Sequence, residues 1–473
     1  MSKRKLVKNS IFYTIGNILP QAAGFILLPI YTTYLDPDQY GIVNAMTVLA
    51  GVVGIIFTLG IDRGIYRLYY DYADEERKTY LGTIIIGLST FSVLIFLIAI
   101  SFPQLLENVF ESIPFYPYYL LMLLFTVLSK VITVPAIYLR ISEQAAKFVW
   151  LQISAFLLTA SFNLLFIIYY KEGAIGMLKG TLFANLIMAP IFYLVTYKAI
   201  VFKFNVKYFK DSVKFSLPLL PAFIFAWILN LSDRIFLERF LSLNEVGIYS
   251  FGYKLASLVT VIAGGVFTAY NPHFYKLANE DGKEIKRKIE TYNNSIILLI
   301  LVICFFIAFF SKEAIEILIS SKYFEAIKII PILCIAFFFS QITGFLNLMI
   351  YQSKKTVQIM YITLTAAIIN VISNLVFIPV FGMMGSAMAT LVSFISLFAI
   401  QYWYAKKCYF IPYHWNVIIP LILGFIGIYV VVDFIAIQNV FYGLLLKTII
   451  SIVIVLLFWQ KNKKQLSLLF SKK

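Results

Sequence analysis

Two arginines and two tyrosines share one face of a predicted helix, where they could hold a phosphate group. Arg63, Tyr66, Arg67 and Tyr70 follow the spacing i, i+3, i+4 and i+7, which brings side chains to one side of an α-helix. A guanidinium group presents a planar fork of N–H donors that matches phosphate oxygens. The face therefore suits capture of an anionic head group. Its alternative role is ordinary anchoring, because Tyr and Arg are both common at membrane surfaces.

Two lysines are predicted deep inside membrane-spanning helices, where a charge is costly and marks a pathway or a site by default. At a rise of about 1.5 Å per residue, Lys254 lies roughly 14 Å into its span and Lys130 roughly 22 Å into its own. Lys254 is expected to face a wet cavity because it is too deep to reach the interface. Lys179 lies only five residues into its span, so its alternative role is snorkelling of the ammonium group to the interface. The same alternative applies to Lys447.

Acidic groups inside the predicted spans are few. Asp62 adjoins Arg63, and Asp233, Arg234 and Glu238 lie near the end of the seventh span. Arg234 and Glu238 are one helical turn apart and could pair, so this group is interpreted equally as an ion-pair lock or as a substrate contact. Because basic groups prevail at the deep positions, the sequence predicts an anionic substrate.

The elements that carry these residues are membrane helices. Of the 473 residues, 61% are hydrophobic and 13% are charged, whereas a soluble domain has roughly 45–50% apolar and about 25% charged residues. Apolar runs reach the roughly 20 residues that cross a hydrocarbon core of about 30 Å. The composition excludes a soluble enzyme and predicts an all-α polytopic membrane protein. The formal charge of +16 is assigned to loops, and nucleic acid is not expected as a partner.

Polar and turn-rich points divide the chain into about fourteen predicted transmembrane helices. Their approximate ranges are 9–34, 41–70, 81–102, 115–140, 146–170, 174–198, 212–240, 245–275, 290–310, 327–351, 356–378, 382–404, 416–434 and 439–459. Assigning both termini to the cytoplasm places most of the 39 Lys and Arg in cytoplasmic segments, as the positive-inside rule requires. The alternation runs through the chain without inversion, which supports the count.

The first and seventh predicted helices combine prolines with polar side chains. The first carries Asn17 and Gln21 beside Pro20, and the seventh carries Pro218 and Pro221. Proline frees carbonyl groups and lets a membrane helix bend where neighbours or cavity water satisfy them. We interpret both as gating helices that line a central cavity, with static kinks as the alternative.

Residues that would support catalysis or metal binding are sparse. The three cysteines lack CxxC spacing, and His273 and His414 lie in separate loops, so no disulfide framework or zinc site is expected. No Walker-type phosphate loop occurs in the sequence. We expect no catalytic residue, metal or cofactor.

Coupling to protons, sodium or the membrane potential stays open, with Asp62 as its candidate residue. A membrane glycan polymerase, ligase or acyltransferase would need a catalytic cluster on a large outer loop, and the predicted outer loops are mostly short.

Two sequence patterns recur in the same order in both halves of the chain. Residues 35–43 (LDPDQYGIV) correspond to residues 241–249 (LSLNEVGIY). The second correspondence joins residues 163–166 (NLLF), Gly176 and Thr181 to residues 374–377 (NLVF), Gly385 and Thr390. An offset of six helices preserves orientation, so these are parallel repeats that can rock around a shared site, which favours a transporter.

The repeats also predict the domain organisation. An N-terminal six-helix lobe occupies 1–200, a C-terminal six-helix lobe occupies 201–408, and two additional helices with a basic cytoplasmic tail occupy 409–473.

Together these features resemble the polysaccharide transporter family of bacteria, the O-antigen and capsule-type flippases for lipid-linked oligosaccharides. That family belongs to the superfamily that also holds multidrug and toxin extrusion transporters and lipid II flippases. Besides the kinked first and seventh helices, the motifs are GIDR at 60–63, YRLYY at 66–70, SDR at 232–234 and VGIYS at 246–250.

The resemblance implies a V-shaped pair of lobes around a cationic cavity in the inner membrane. Its substrate would be undecaprenyl diphosphate carrying a short glycan, moved from the cytoplasmic to the outer leaflet for surface polysaccharide biosynthesis. In that picture Arg63, Lys130 and Lys254, with Arg67 nearby, bind the diphosphate. The residues expected to support the cavity or gate are Asn17, Gln21, Asp62, Tyr66, Lys179, Asp233 and Arg234. Membrane lipids and a glycan polymerase or assembly machinery are the further partners that it suggests.

Two alternatives stay within the superfamily. A multidrug exporter of cationic drugs should carry cavity carboxylates, and the first span has none. A lipid II or teichoic-type flippase differs only in its head group.

Overall fold

The computed structural model describes residue 21 and residues 23–280, 282–435 and 439–453. Regular structure throughout these residues is helical, which confirms the predicted all-α membrane class. A helix satisfies its own backbone N–H and C=O groups, and this is why apolar segments of such length cross a membrane as helices.

The helices follow the order that the hydrophobic runs predicted. The first ten are α1 (Ala23–Tyr34), α2 (Pro37–Thr58), α3 (Ile61–Leu68), α4 (Asp74–Ser101), α5 (Phe115–Ile141), α6 (Ala145–Tyr169), α7 (Gly173–Ala199), α8 (Val206–Leu231), α9 (Asp233–Phe240) and α10 (Leu243–Ala256). They are followed by α11 (Leu258–Ala278), α12 (Lys283–Leu318), α13 (Ile330–Gln352), α14 (Thr356–Ala405), α15 (Trp415–Phe434) and α16 (Val440–Val453).

The described residues account for the predicted number of spans. They contain 11 segments that are long and apolar enough to cross a membrane, while α1 and α16 are shorter apolar helices. The helix α14 holds two spans, because its backbone leaves the helical region at Gly382 (φ 58°, ψ −139°). The prediction of about fourteen membrane helices is thereby confirmed.

The prediction that the second span, 41–70, is one continuous helix was wrong. Leu59 (φ 49°) and Gly60 (φ 69°) adopt the left-handed conformation, which ends α2 and lets α3 begin at Ile61. That conformation costs a residue with a Cβ about 1–2 kcal/mol, so packing around Leu59 must hold it there. The break gives the helix that carries Arg63 its own direction.

Two further predicted spans are also interrupted. The eighth, 245–275, is divided at Ser257 into α10 and α11. The seventh, 212–240, contains a 3-10 turn at Leu217–Leu219, where its prolines predicted a bend. It is interrupted again at Ser232, because α8 ends at Leu231. Of these two interrupted spans, the seventh was predicted to be a gating helix.

The residues that the first repeat equates lie at a reciprocal close contact between α2 and α10. A Cβ atom added to Gly41 would lie 2.1 Å from the Leu243 carbonyl oxygen, and one added to Gly247 would lie 1.9 Å from the Pro37 carbonyl oxygen. Each carbonyl belongs to the residue four positions before the opposite glycine, so the two contacts are equivalent. Only glycine allows this approach of α2 to α10, and small residues at helix crossings are how membrane helices pack closely.

The second repeat is visible in two helix hairpins with the same internal contact. A Cβ atom on Gly176 would lie 2.9 Å from the Phe166 Cβ, and one on Gly385 would lie 2.1 Å from the Phe377 carbonyl oxygen. Both glycines therefore pack on the phenylalanine that closes the NLLF or NLVF motif. This agreement supports the parallel-repeat prediction.

The chain divides into two compact units, Met1–Ser250 and Phe251–Lys473. In the first unit α8 packs on α2, where the indole N–H of Trp227 donates to the Val48 carbonyl (2.9 Å). The core of this unit gathers buried side chains from α2 and α5, among them Phe57 and Met122. The lobes predicted at 1–200, 201–408 and 409–473 follow the repeat rather than these contacts, and they stay a prediction.

Candidate functional site

Arg63 lies in the first turn of α3, directly after the break. Its side chain is 66% exposed, and its Nε lies 3.6 Å from an Asp62 carboxylate oxygen, a loose contact that leaves N–H donors available to a ligand. The guanidinium carbon lies 5.7 Å from the centre of the Phe223 ring on α8. A ring beside a guanidinium group restrains it, while its exposed N–H donors stay accessible to an anion.

Lys130 reaches the same region from α5. Its Cε and Nζ pack over Gly54 of α2, where an added Cβ would lie 2.4 and 2.6 Å from these atoms. The charges of Asp62 and Arg63 both act on its ammonium group. Within the described part of the chain, no carboxylate lies within 4.0 Å of that ammonium. Lys130 on α5 and Arg63 on α3 therefore lie near enough for their charges to interact.

A further basic side chain, Arg140 on α5, contacts the arginine–tyrosine face of α3 and was not among the predicted site residues. Its NH1 donates to the Tyr66 hydroxyl (3.2 Å), and its guanidinium carbon lies 4.2 Å from the centre of the Phe148 ring. The hydroxyl of Tyr70 donates to the carbonyl of Ile141 (3.1 Å). The only sequence signal for Arg140 was its place in a basic loop, which the positive-inside rule already explained.

Arg67 differs from Arg63 in its surroundings. Its NH1 contacts the carboxylate of Asp71 four residues later, so Asp71 competes with any anionic ligand for this guanidinium. Tyr70 follows in a 3-10 turn, Tyr69–Asp71, rather than in the helix that the spacing predicted. Beyond this turn, burial and the Asp211 carboxylate raise the pKa of Tyr72 to about 12, so its hydroxyl stays protonated and donates to Asp211 (3.4 Å).

Asp233 and Arg234 form a buried cluster at the start of α9. Their side chains are each 4% exposed, and Arg234 NH1 lies 2.5 Å from an Asp233 oxygen. The Tyr249 hydroxyl donates to the other Asp233 oxygen (2.7 Å), which connects α9 to α10. Such burial leaves these side chains almost no surface for a substrate, which favours the ion-pair interpretation over the substrate contact.

The far end of α9 is bound to the segment before α5. Glu238, 4% exposed, accepts a hydrogen bond from the backbone N–H of Ser112 (2.6 Å). Arg239 NH1 lies 2.5 Å from a Glu111 carboxylate oxygen and its NH2 donates to the Asn108 carbonyl (2.8 Å). These contacts extend the lock along α9.

The remaining predicted site residues are dispersed. Lys179 is held by Glu172, with 2.8 Å between Nζ and a carboxylate oxygen. Lys254 is exposed in the last turn of α10, in the second compact unit, and its meeting with Arg63 stays a prediction. Gln21 is exposed, and Asn17 lies outside the described residues.

Lys447 does not snorkel to the interface. Its Nζ lies 2.8 Å from a Glu313 carboxylate oxygen, with the two side chains 9% and 5% exposed, and it also donates to the Phe309 carbonyl (2.7 Å). This buried ion pair fastens α16 to α12. Removing one partner would leave an uncompensated charge, which in a buried site costs about 3–5 kcal/mol.

Residues 6–278, more than half of the chain, match the model of a family described as polysaccharide biosynthesis protein. Residues 218–376 match the MatE family model. Among curated relatives, the Lsg locus putative protein 1 of Haemophilus influenzae is 22% identical over 280 residues, which cover 58% of this chain and 66% of that protein.

Two solved structures have a similar fold. The lipid II flippase MurJ in an inward closed conformation superposes with a TM-score of 0.72 at 16% identity, over 97% of this chain and 99% of that one. A mutant of the Vibrio cholerae MATE transporter VcmN superposes with a TM-score of 0.58 at 15% identity, over 85% of this chain and 96% of that one. At these identities the likeness concerns the fold alone.

Proposed function

The chain belongs to the polysaccharide biosynthesis protein family of the multidrug, oligosaccharidyl-lipid and polysaccharide exporter superfamily, and from this premise we propose that it is a flippase for an undecaprenyl-diphosphate-linked oligosaccharide. The lipid-linked glycan would move from the cytoplasmic to the outer leaflet of a bacterial inner membrane and supply a surface polysaccharide. The observation that carries the proposal is that the charges of Arg63 on α3 and Lys130 on α5 interact, with Lys130 packed over Gly54 of α2.

The chemistry of the substrate explains why such a pair is needed. A diphosphate taken into hydrocarbon without partners would cost tens of kcal/mol by Born solvation. The Arg63 guanidinium and the Lys130 ammonium beside a wet path would remove most of that barrier. The polyprenyl chain has no such barrier, since it stays in the lipid.

The proposed roles follow the surroundings of each side chain. Arg63 binds the phosphate through its fork, Lys130 supplies a point charge, and Arg67 is weaker because Asp71 holds it. Lys254 is proposed to complete the cationic cavity from the C-terminal lobe. Asn17, Gln21 and Lys179 are proposed as supporting residues of the cavity or gate.

Alternating access requires a closure on the outer side that opens and reforms. We assign this closure to the crossing of Gly41 and Gly247, to the hydrogen bond from the Asn244 amide to Asp38 (3.0 Å), and to the buried Asp233–Arg234 lock. With the termini in the cytoplasm, as the loop charges predict, all of these residues lie toward the outer face.

The energy source belongs to the same proposal. Asp62 lies beside Arg63 and acts electrostatically on Lys130, so a proton or cation arriving at Asp62 would change the charge that the substrate meets. A gradient of protons or sodium, or the membrane potential, would then bias transport in one direction. Dissipating each gradient separately in transport-competent cells would identify which one is used.

Two other candidate functions each have one supporting observation. The match to the MatE model over residues 218–376 favours a multidrug exporter. The similarity to the MurJ fold favours a lipid II or teichoic-type head group. Neither would require an enzyme active site, since family and fold are those of transporters.

A deletion strain tests the proposal directly. Loss of surface glycan, with lipid-linked oligosaccharide trapped on the inner leaflet, would support the flippase. Leaflet location is measured in spheroplasts by access of a membrane-impermeant glycosidase. Unchanged glycan with altered drug tolerance would favour the exporter, and arrested cell-wall synthesis with normal glycan would favour the lipid II-type substrate.

A further inference from the structure

Four exposed lysines of the second unit lie together at one membrane-interface end. Lys286 belongs to the first turns of α12, Lys355 precedes α14, and Lys406 and Lys407 follow it. We call this set the basic rim. The backbone N–H of Tyr409 donates to the Ser353 hydroxyl (3.1 Å), which ties the segment after α14 to the turn before it.

Each lysine of the basic rim lies on an aromatic ring. The distances from ammonium nitrogen to ring centre are 4.9 Å for Lys286 on Tyr409, 6.0 Å for Lys355 on Tyr404, 5.0 Å for Lys406 on Tyr402 and 3.6 Å for Lys407 on Trp403. A ring face holds an ammonium group in place while leaving its N–H donors available to an anion. The basic rim is therefore ordered, unlike a set of freely moving surface lysines.

The charge of the basic rim is not balanced by nearby carboxylates. Glu284 is engaged with Lys288 (3.3 Å), and Glu290 is engaged with His414 (2.7 Å). For the part of the chain that the structure describes, no carboxylate oxygen lies within 4.0 Å of any rim lysine. Four positive charges thus face outward without an internal counterion.

The rings indicate the depth at which the charges lie. Trp403 is 59% exposed at the end of the membrane-length helix α14, and Trp and Tyr at such positions lie at the level of the lipid head groups. The ring centre of Tyr402 lies 5.8 Å from that of Tyr413 and 6.0 Å from that of Trp415. These contacts join the start of α15 to the same surface. Basic pockets between helices at this depth bind anionic lipid head groups.

We propose that the basic rim is a binding site for the phosphate head group of an anionic membrane phospholipid. The site is separate from Arg63 and Lys130, and the proposal holds whatever the transported substrate is. Bound lipid would link α12, α13, α14 and α15 by neutralising lysines that three separate chain segments contribute.

The test compares lipids on the purified full chain in a neutral detergent. We expect phosphatidylglycerol to raise Tm more than phosphatidylcholine does. Replacing all four rim lysines by glutamine should remove more than about half of that difference, because a ligand stabilises only the protein that binds it. The Lys406→Gln, Lys407→Gln double variant should lose a smaller part, and it keeps the test decisive if the quadruple variant does not fold.

The matched control removes the same charge elsewhere. Lys203, Lys207, Lys210 and Lys214 are exposed, and their replacement by glutamine should leave the phosphatidylglycerol shift intact. Equal loss of the phosphatidylglycerol shift in both quadruple variants would mean a general charge effect and would overturn the proposal. Full retention of the shift in the rim variant, or the absence of a lipid preference in the wild type, would also overturn it. An equal Tm rise with inorganic phosphate would assign the rim to soluble anions and overturn the lipid assignment.

Discussion

The binding chemistry of the candidate site depends on the shape of single side chains. Arg63 combines an exposed fork with support from Phe223, whereas Lys130 offers a compact charge over Gly54. A guanidinium group binds phosphate through two parallel N–H···O bonds, which an ammonium group cannot reproduce. The two residues are therefore not interchangeable.

Arg63→Lys is expected to impair transport although the charge is retained. A lost charge-assisted hydrogen bond is worth about 1.5–3 kcal/mol, which corresponds to a roughly tenfold or greater fall in transport rate. The measurement is recovery of surface glycan when the variant is expressed in the deletion strain. Arg287→Lys, an exposed arginine on α12, is the control and should restore glycan fully. Full recovery with Arg63→Lys would mean that only a general positive field is needed.

Gly54→Ala is expected to displace Lys130 without unfolding the protein. The added Cβ would meet Cε and Nζ of Lys130 at 2.4 and 2.6 Å, and the flexible end of a lysine can move away. Transport should fall severalfold while the amount of protein in the membrane stays normal. Gly264→Ala is the control, since nothing lies within 4 Å of its added Cβ. Equal transport in both variants would contradict a role for the position of Lys130.

Among the helices, the crossing of α2 with α10 has the geometry of a closure. The backbones approach at Gly41 and Gly247, and the Asp38–Asn244 hydrogen bond lies one turn earlier on each helix. Because the contacts are equivalent under the repeat, the two halves would contribute the same element to the proposed closure.

Cysteines at Asp38 and Asn244 should form a disulfide that blocks transport reversibly. Their side chains are already in contact at 3.0 Å, and a covalent bond would prevent the outer closure from opening. Glycan export is measured in cells expressing the double variant, with and without a membrane-permeant reductant. Each single cysteine variant should stay active under oxidation. Undiminished export by the fully cross-linked double variant would show that this crossing need not open.

The distribution of charge over the whole chain predicts its orientation. Most of the 39 Lys and Arg fall on one side when fourteen spans are threaded through the bilayer, and the helix α12 begins at Lys283, on the side predicted to be cytoplasmic. A single miscounted helix would invert every later loop. Orientation is therefore a property of the complete set of spans.

A cysteine at Lys283 should be protected in intact cells. The predicted cytoplasmic loop 276–290 is accessible to an impermeant maleimide only after the membrane is opened. A cysteine at Lys322, predicted outside, is the matched control and should react in intact cells. Labelling at position 283 from outside would overturn the span count and, with it, the assignment of Arg63 to the cytoplasmic half.

The sequence by itself determined the class, the number of spans and the internal repeat. Hydrophobic length and helical periodicity are local properties, since a membrane helix satisfies its own hydrogen bonds and needs no distant partner to form. The arginine–tyrosine face of α3 was readable for the same reason, except that Tyr70 falls in a 3-10 turn.

Only the tertiary structure decided where the helices break and which side chains meet. The left-handed conformation of Leu59 must be held by packing, so the local sequence preference of a leucine does not predict this helix break. Arg140 and Tyr66 lie 74 residues apart, and Lys447 and Glu313 lie 134 apart. Such pairs form because buried charges and hydroxyls bind the polar groups that helix packing places beside them. Spacing along the chain therefore does not predict which residues pair.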